Sequence, residues 1–398
     1  MNNLSFLVGL KNNLEYSQKF YENTRLLYNE IEIVFVSFGS TDGTHEWLDS
    51  LQDKNLKYYY SDHHKTLSDT YNKALKVATK EFVCFLHNDM VLGNNFLAEI
   101  YLALEKHNII YYKTIEPPIF GKDERLWKEV KDFGNSFDDF DYKGFYDYEK
   151  NSNPKPGQFV DSASFFLACR KDLLLNIGGL DPLFAPMFCE DDDLILRLRL
   201  SGEKIFLCVS AITYHFVSKT SRFSEEFRNK TLSIEKKSQR NFVRKWGFPT
   251  FSKSKAKYDI GLILKNGILD TLSGLEPLVS QIYTDFDFKS YLETEQLNTS
   301  INLNEKIHLL AEKREHDVMV YVDGSKMNSK TLHILNNLSE LISNRVEQKQ
   351  FRISFFKQLY YKIFKNYKPI IIIKEGIRLE KKLIKNYAEQ DSQFFKSK

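Results

Sequence analysis

Four short segments within the first 220 residues carry side chains whose types and spacing could do chemistry. The first is Gly39-Ser40-Thr41-Asp42-Gly43-Thr44, a tight turn into a helix. There Ser40 or Thr41 can cap, and Asp42 suits the positive helix end. The second is His87-Asn88-Asp89. A carboxylate at the carboxyl end of a strand can hold a divalent cation against a diphosphate, although a lone Asp is more often an ordinary loop residue. The third runs from Gly178-Gly179-Leu180-Asp181-Pro182 to Glu190-Asp191-Asp192-Asp193-Leu194. Acids favour a first helical turn, and Asp193 can pair with Arg197 four residues on. Four packed carboxylates exceed what capping needs, and mutual repulsion raises their proton affinity, which prepares a general base or a metal ligand. The fourth is His215 in Tyr214-His215-Phe216. A single His at a strand end is commonly structural, yet a neutral imidazole is also a usual metal partner for a carboxylate.

These groups need strand ends to hold them, and the first half alternates strand and helix patterns. Strands are predicted at Leu4–Leu10, Ile31–Val36, Leu56–Tyr60 and Phe82–Leu86. Helices are predicted at Leu14–Tyr28, Asp42–Leu51, Leu67–Ala78 and Phe96–Leu104. Such alternation argues a parallel sheet covered on both faces, with ligands beyond the carboxyl ends of its strands.

Residues 116–157 break the rhythm with Pro117, Pro118, Pro154 and Pro156 and with aromatics at Phe133, Phe137, Phe140, Tyr142, Phe145, Tyr146 and Tyr148. A connection this long is functional or has structure of its own. Its aromatic faces, with Asp138, Asp139 and Asp141, could form a binding surface; a self-packed cover explains them equally well. Order resumes with a strand at Phe159–Ala168, a turn at Gly178-Gly179, a helix at Asp191–Leu200, strands at Lys204–Val209 and Ile212–His215, and a helical stretch from Ser224 to Trp246. Phe248 to Lys257 reads as a linker. Beyond it, strands at Ile260–Leu264 and Val318–Val322 and helices at Thr331–Ile342 and Ile377–Tyr387 form a second α/β unit without a chemistry-bearing motif.

At 398 residues, 42% hydrophobic and 27% charged, the chain can bury two cores, and disorder is excluded as its default state. No apolar run approaches the ~20 residues of a membrane-spanning helix, and Met1-Asn2-Asn3 lacks the basic start of a secretory signal. Cys84, Cys169, Cys189 and Cys208 are widely spaced, as expected of reduced, buried thiols in a cytoplasmic protein. The net charge of +3 hides an asymmetry. Residues 349–398 hold 13 Lys and Arg against 4 Asp and Glu, a net +9. In this tail Lys357, Lys362 and Lys365 are interleaved with Phe355, Tyr360 and Phe364, which suits peripheral association with an anionic membrane. A solvated helical face accounts for the same charges, and nucleic-acid binding is not expected, because no nucleic-acid fold motif accompanies them.

Taken in order, Val36–Thr44 (VSFGSTDGT), Asn72 in TYNKAL, His87–Met90 (HNDM), Gly178–Pro182 (GGLDP), Glu190–Leu194 (EDDDL) and the late His215 resemble the family 2 glycosyltransferases of the GT-A fold. The resemblance covers about residues 4–245. It implies an α/β fold, with a Rossmann-like, mostly parallel sheet sandwiched by helices. It divides the chain into a GT-A domain at 1–247, with 116–157 as an acceptor-side insertion, and a C-terminal α/β domain at 258–398.

The resemblance further implies transfer of a sugar, with inversion, from a nucleotide-diphosphate sugar, a UDP-sugar first of all. Asp191 matches the general base and Glu190 its neighbour. Asp89 and His215 match the ligands of a divalent metal, Mn2+ or Mg2+. Leu10, Ser37, Asp62, Asn72, His87 and Asn88 fall at donor positions, and Asp161 and Asp181 at acceptor positions. Two departures stand out. Ser37 replaces an Asp that holds the uracil or ribose, with Asp62 a candidate to help hold the base. His87 replaces the first acid of the metal motif, where it could contact ribose or ligate the metal; Tyr71 stands where an Arg is common. The acceptor implied is a glycan or lipid-linked glycan in surface polysaccharide synthesis, met from the cytoplasm or the inner membrane face. Two other readings remain at this point: a metal-dependent nucleotidyltransferase, which would release pyrophosphate, and a non-catalytic nucleotide- or glycan-binding module.

Overall fold

The computed structural model describes residues 3–152, 156–162, 164–217, 228–253, 255–347 and 370–373. The chain forms two compact units, divided between Ile234 and Glu235. In the first, strands β1 (Leu4–Leu10), β2 (Glu32–Phe38), β3 (Leu56–Ser61) and β4 (Phe82–His87) alternate with helices α1 (Leu14–Leu27), α2 (Thr44–Ser50) and α3 (Leu67–Val77). Then come β5 (Met90–Leu92), α4 (Phe96–Leu104), β6 (Ile109–Glu116), β7 (Lys128–Val130), α5 (Tyr142–Asn151), β8 (Gln158–Val160), β9 (Leu167–Arg170), α6 (Lys171–Asn176), α7 (Glu190–Leu200) and β10 (Ile205–His215). The sheet order is β3-β2-β1-β4-β9-β6-β10-β5. Its long strands run parallel in two groups, β3-β2-β1-β4 and β6-β10, joined by the antiparallel β9.

The continuous apolar runs of β1 and β2 are explained by burial on both faces. Between the strands, α3 starts on a capping box in which the Thr66 hydroxyl accepts from Asp69 N and the Asp69 carboxylate accepts from Thr66 N. Register places the carboxyl ends of β1, β2 and β4 side by side, with Leu10 opposite Ser37 and Gly9 opposite His87, and the antiparallel β5 sets its first residue, Met90, opposite His215.

Three departures from the sequence expectations have physical causes. The apolar stretch 159–168 is not one strand. Its start pairs with β10 as β8, and its end pairs with β4 and β6 as β9. Conversely, the two strands expected at 204–209 and 212–215 are one, β10, whose register against β6 shifts between Cys208 and Ile212. That bulge accounts for the interruption seen in the pattern. Finally, Ile109–Glu116 is a buried central strand that the sequence reading leaves unassigned.

The insertion aromatics pack inward. Phe133, Phe137, Phe140 and Phe145 are buried against Tyr214 and Phe216, with Phe140 and Tyr214 ring centroids 4.9 Å apart. Asp139 closes its own loop on Asn135 N and Ser136 N, and Asp141 caps α5. These rings form a cover over β10, while Asp138 lies exposed.

The division of the chain falls within α8 (Thr231–Trp246). The second unit continues with β11 (Ile260–Lys265), α9 (Leu269–Leu275), β12 (Gln281–Thr284), α10 (Lys289–Glu295), β13 (Ile307–Leu309), β14 (Val318–Asp323), α11 (Ser329–Asn336), α12 (Leu338–Glu347) and β15 (Ile370–Ile373). Its sheet order is β13-β12-β11-β14-β15, parallel except for the last strand. This unit is α/β as expected, and it buries an ion cluster. Arg244 Nε lies 3.0 Å from Glu276 Oε2, Tyr291 Oη donates to the same oxygen at 3.0 Å, and Lys306 Nζ is 3.6 Å from Oε1.

All four cysteines are free and buried. Among the described residues, no helix is long and apolar enough to cross a membrane. The basic tail, apart from 370–373, and the helix expected at 377–387 lie outside the described residues.

Candidate active site

The antiparallel pairing of β5 with the end of β10 folds the His87-Asn88-Asp89 turn against His215, and Phe216 N donates to Asp89 O at 2.9 Å. His215 Nε2 consequently lies 3.4 Å from Asp89 Oδ1, and His87 Nδ1 3.9 Å from the same oxygen. One ligand atom from each of His87, Asp89 and His215 falls within 4.8 Å of the others. Asp89 and His215 are buried, whereas the His87 side chain is 28% exposed. Two imidazoles and a carboxylate converging in this way are a donor set that fits a divalent transition ion.

Glu116, at the end of β6, lies 3.2 Å from His215 Nδ1 and is itself held by Lys128 Nζ at 2.7 Å. Burial would lower the His215 imidazole, but the Asp89 and Glu116 carboxylates on either side outweigh it and raise the pKa to about 9. For His87 burial dominates and lowers it to about 4. Asn88 is buried and donates to Ser17 Oγ of α1 at 3.0 Å.

Two consecutive non-glycine residues in the left-handed region, Phe188 (φ 77) and Cys189 (φ 66), bring the chain into α7. Each such conformation costs of order 1–3 kcal/mol and persists only where the surroundings impose it. The surroundings here are dense. Arg197 Nε donates to Asp193 Oδ2 at 2.7 Å, and its other nitrogens donate to Ile177 O and Gly179 O. Asn72 bonds the backbone of Leu180 through both ends of its amide, at 2.8 Å each. A Cβ on Gly179 (φ +72) would come 2.1 Å from Asn72 Oδ1, so this position requires glycine. Asp181 caps Leu183 N, and Ser68 Oγ donates to Asp181 O.

The acids of α7 thus divide. Asp193 is fully buried in its pair with Arg197. Glu190 and Asp191 have their carboxyl pKa values raised by burial; Glu190 is pushed further by the Asp191 charge, while Arg125 holds Asp191 back. That is the electrostatic condition of a proton acceptor. Asp193→Asn keeps an acceptor for Arg197 but removes its counter-charge. It is expected to cost about 2 kcal/mol of stability with little effect on rate, read as a lowered urea midpoint.

On β2, Ser37 is fully buried. Its hydroxyl lies 2.9 Å from Ser40 Oγ and 3.0 Å from His45 Nε2, and His45 Nδ1 is 3.3 Å from the exposed Asp62 carboxylate. The His45 ring stacks on Tyr60 at 4.5 Å. Neither Ser40 nor Thr41 caps α2. Ser40 Oγ accepts from Asn12 N, and Asp42 accepts from Leu14 N at 2.8 Å and from Thr44 Oγ1 at 2.5 Å, tying this turn to the end of β1 near Leu10.

Asp89, His87 and His215 therefore share one cluster at the strand ends. Ser37 and Asp62 are linked to each other through His45, while Asn72 and Asn88 spend their amides on the scaffold. Asp161 lies apart on an exposed loop, where Arg199 Nη2 reaches its Oδ1 at 3.2 Å. The sequence reading misses Glu116, Arg125 and the pair Phe165-Phe166, whose ring centroids lie 5.2 and 5.0 Å from that of His87. A carboxylate closing the largely apolar, β-branched and aromatic run from Ile109 was the available signal for Glu116.

The family described as Glycosyl transferase family 2 matches residues 5–177. No curated protein matches the sequence. Similar solved structures include S. aureus TarS 1-349, at 20% identity over 54% of this chain and 60% of that one, TM-score 0.40. GalNAc-T7, solved with UDP, GalNAc and Mn2+, matches at 14% over 62% and 48%, TM-score 0.47. The mannosyltransferase PcManGT from Pyrobaculum calidifontis, solved with GDP-Man and Mn2+, matches at 18% over 55% and 58%, TM-score 0.39. The matches span 48% to 60% of those chains. Residues 5–177, within the first unit, match the glycosyl transferase family 2 model, and that unit has the expected α/β class with a mostly parallel sheet.

Proposed function

We propose that the chain transfers a sugar, with inversion, from a nucleotide-diphosphate sugar to a hydroxyl of a glycan or lipid-linked glycan, in the building of a surface polysaccharide. The observation that carries this reading is the convergence of Asp89 and His215 at the strand ends of a family 2 sheet. A UDP-sugar is the donor to test first. Asp89 and His215 would hold a divalent cation, Mn2+ or Mg2+, which when bound neutralises charge on the leaving diphosphate.

The remaining chemistry belongs to side chains. Asp191 accepts the proton of the acceptor hydroxyl as that oxygen attacks the anomeric carbon, and Glu190 positions the acceptor. A single base and no covalent intermediate give inversion. Arg197, held by Asp193, fixes α7 against the Gly178–Leu180 turn and so keeps Asp191 in place. Asp62 after β3 and His87 at the end of β4 are assigned to the donor side; Ser37 with His45, Leu10, Asn72 and Asn88 would support it from beneath, being buried or bonded to the scaffold. Asp161 and Asp181 are assigned to the acceptor side. Attachment to the inner membrane face rests on the composition of 349–398.

The test is thermal shift against a panel of nucleotide sugars with Mn2+. A donor at a hundredfold excess over its Kd stabilises the fold by about 2.7 kcal/mol. Asp89→Ala is expected to abolish the metal-dependent part of that shift in a chain that still folds, with the unliganded melting temperature lowered because the buried His215 keeps only Glu116 of its two carboxylates. An unchanged metal-dependent shift in the variant would remove Asp89 from the site.

A further inference from the structure

We infer that the second unit holds a small-ligand site of its own, a cavity of about 310 Å3 beside α8 that fits one sugar ring bearing a negative group. Every residue lining it follows Glu235 and lies in the second unit, so the inference stands apart from the transfer proposed for the first.

The cavity is built along one face of α8. Lys236, Gln239, Arg240 and Val243 line it, at the three- and four-residue spacing that sets side chains one above another on a helix. Pro277 and Leu278, buried in the chain after α9, add apolar surface to that of Val243. Phe251 also lines the cavity and is 84% exposed, which places its ring where the cavity meets solvent. The loop that carries it is fixed, because Ser252 N donates to Pro249 O at 2.9 Å and Lys255 Nζ donates to Thr250 O. Ligand pockets commonly run from about 300 to 1,000 Å3, so this one suits a single ring rather than a nucleotide sugar or several rings.

Charge and hydrogen-bonding capacity then select the ligand. Among the described residues that line the cavity, two are cationic and none is acidic. Arg240 is held in place: Nε donates to Glu295 Oε1 at 2.7 Å, and Nη2 donates to Ser273 O at 2.7 Å and to Tyr291 Oη at 2.6 Å. Those bonds offset part of its charge and leave Nη1 to donate elsewhere. Lys236, one turn earlier, is exposed and makes no ion pair among the described residues, so its charge is uncompensated. A negative group set between the two would gain charge-assisted hydrogen bonds.

Gln239, Thr250 and Asn336 add neutral donors and acceptors. Sugar hydroxyls both donate and accept, and the C–H face of the ring packs on an aromatic side chain such as Phe251. An inorganic anion would use neither the amides nor the ring, and a neutral sugar would leave Lys236 unanswered.

The experiment is calorimetric titration of the full chain, with EDTA present so that no divalent cation contributes, using glucose-1-phosphate, glucuronate, glucose, inorganic phosphate and UMP. The parent is expected to bind glucose-1-phosphate or glucuronate at about 0.1–1 mM, at least about tenfold more tightly than the other three. The tighter of the two identifies the negative group as phosphate or carboxylate. Gly274 of α9 lines the cavity too, and a Cβ there would meet nothing within 4 Å. Gly274→Leu therefore fills the space without a clash, and Leu suits a helix better than Gly. It should remove binding and melt no lower than the parent. Lys236→Ala should weaken the anionic sugar by about tenfold or more, as loss of a hydrogen bond to a charged group does, and leave glucose unchanged. Parent-like binding by Gly274→Leu would overturn the inference. Equal affinity of the parent for glucose, phosphate or UMP would overturn it too, as would the lack of saturation by either anionic sugar up to about 10 mM. If Gly274→Leu fails to fold by circular dichroism, Lys236→Ala decides: parent-like affinity for the anionic sugar overturns the inference.

Discussion

The Asp191→Asn variant is expected to transfer sugar about 10²–10⁴-fold more slowly than the parent chain, with donor affinity nearly unchanged. Asn keeps the shape of the side chain and a hydrogen-bond acceptor, but it cannot take the acceptor's proton. Asp191 Oδ1 already accepts from Asp192 N at 2.9 Å, which leaves the other oxygen for substrate. Burial raises its proton affinity, and the Arg125 guanidinium opposes the rise. A base must be unprotonated to act. The acid limb of the parent's kcat profile should therefore lie above the ordinary Asp value of 3.8 and be missing from the residual rate of the variant.

The same shift has a sign for stability. A carboxyl whose pKa is raised in the fold costs native stability when ionised, so Asp191→Asn should unfold no more easily than the parent at neutral pH, and marginally less easily. Steady-state kinetics with a calorimetric donor titration separates the outcomes. Normal turnover by Asp191→Asn beside an inactive Glu190→Gln would move the base by one residue. Normal turnover by both would refute the mechanism placed at α7.

The largest expected loss of stability lies in the second unit. Glu276→Ala removes a carboxylate that Arg244, Arg240 and Lys306 all approach, with Arg244 fully buried. Breaking a buried charge set from one side typically costs about 3–5 kcal/mol; here Lys306 loses its carboxylate, and Arg240 and Arg244 are left sharing Glu295. Hydrogen exchange reads this locally. Amides of β11, β12 and β14 should exchange about 10²–10³-fold faster, while those of β1, β2 and β4 keep parent rates. Uniform exchange throughout the chain would show that the cluster does not stabilise this unit.

The pH dependence follows from the same cluster. Burial would raise the Glu276 carboxyl, but Lys306, Arg244 and Arg240 outweigh it and lower its pKa from 4.5. Stability from a depressed carboxyl is present above the unfolded value and is lost as pH falls through the lower folded value. The stability difference between parent and Glu276→Gln should thus be largest near neutral pH and shrink as the solution is acidified below about 4.5.

The sequence by itself determined what depends on near neighbours. The runs 4–10 and 96–104 and the start of α3 at Leu67 match their elements because burial on a strand or helix face imposes a period readable within ten residues. The Asp193–Arg197 pair was readable for the same reason, since residues four apart on a helix are neighbours. The order of the chemical segments was readable, but not the distances between them. His87 is two residues from Asp89, but His215 is far along the chain, and only the β5–β10 ladder sets it beside them. Glu116 ends a strand that looked like the approach to a loop, and its role at His215 depends on how β6 registers with β10. The insertion aromatics had two equal readings until Tyr214 and Phe216 supplied the surface that buries them. In the second unit, Arg244, Glu276 and Lys306 were unremarkable charges on separate segments. Only the packing of α8 and the chain after α9 removes them from water together, and a charge acquires its energetic weight from that burial, which no local pattern encodes.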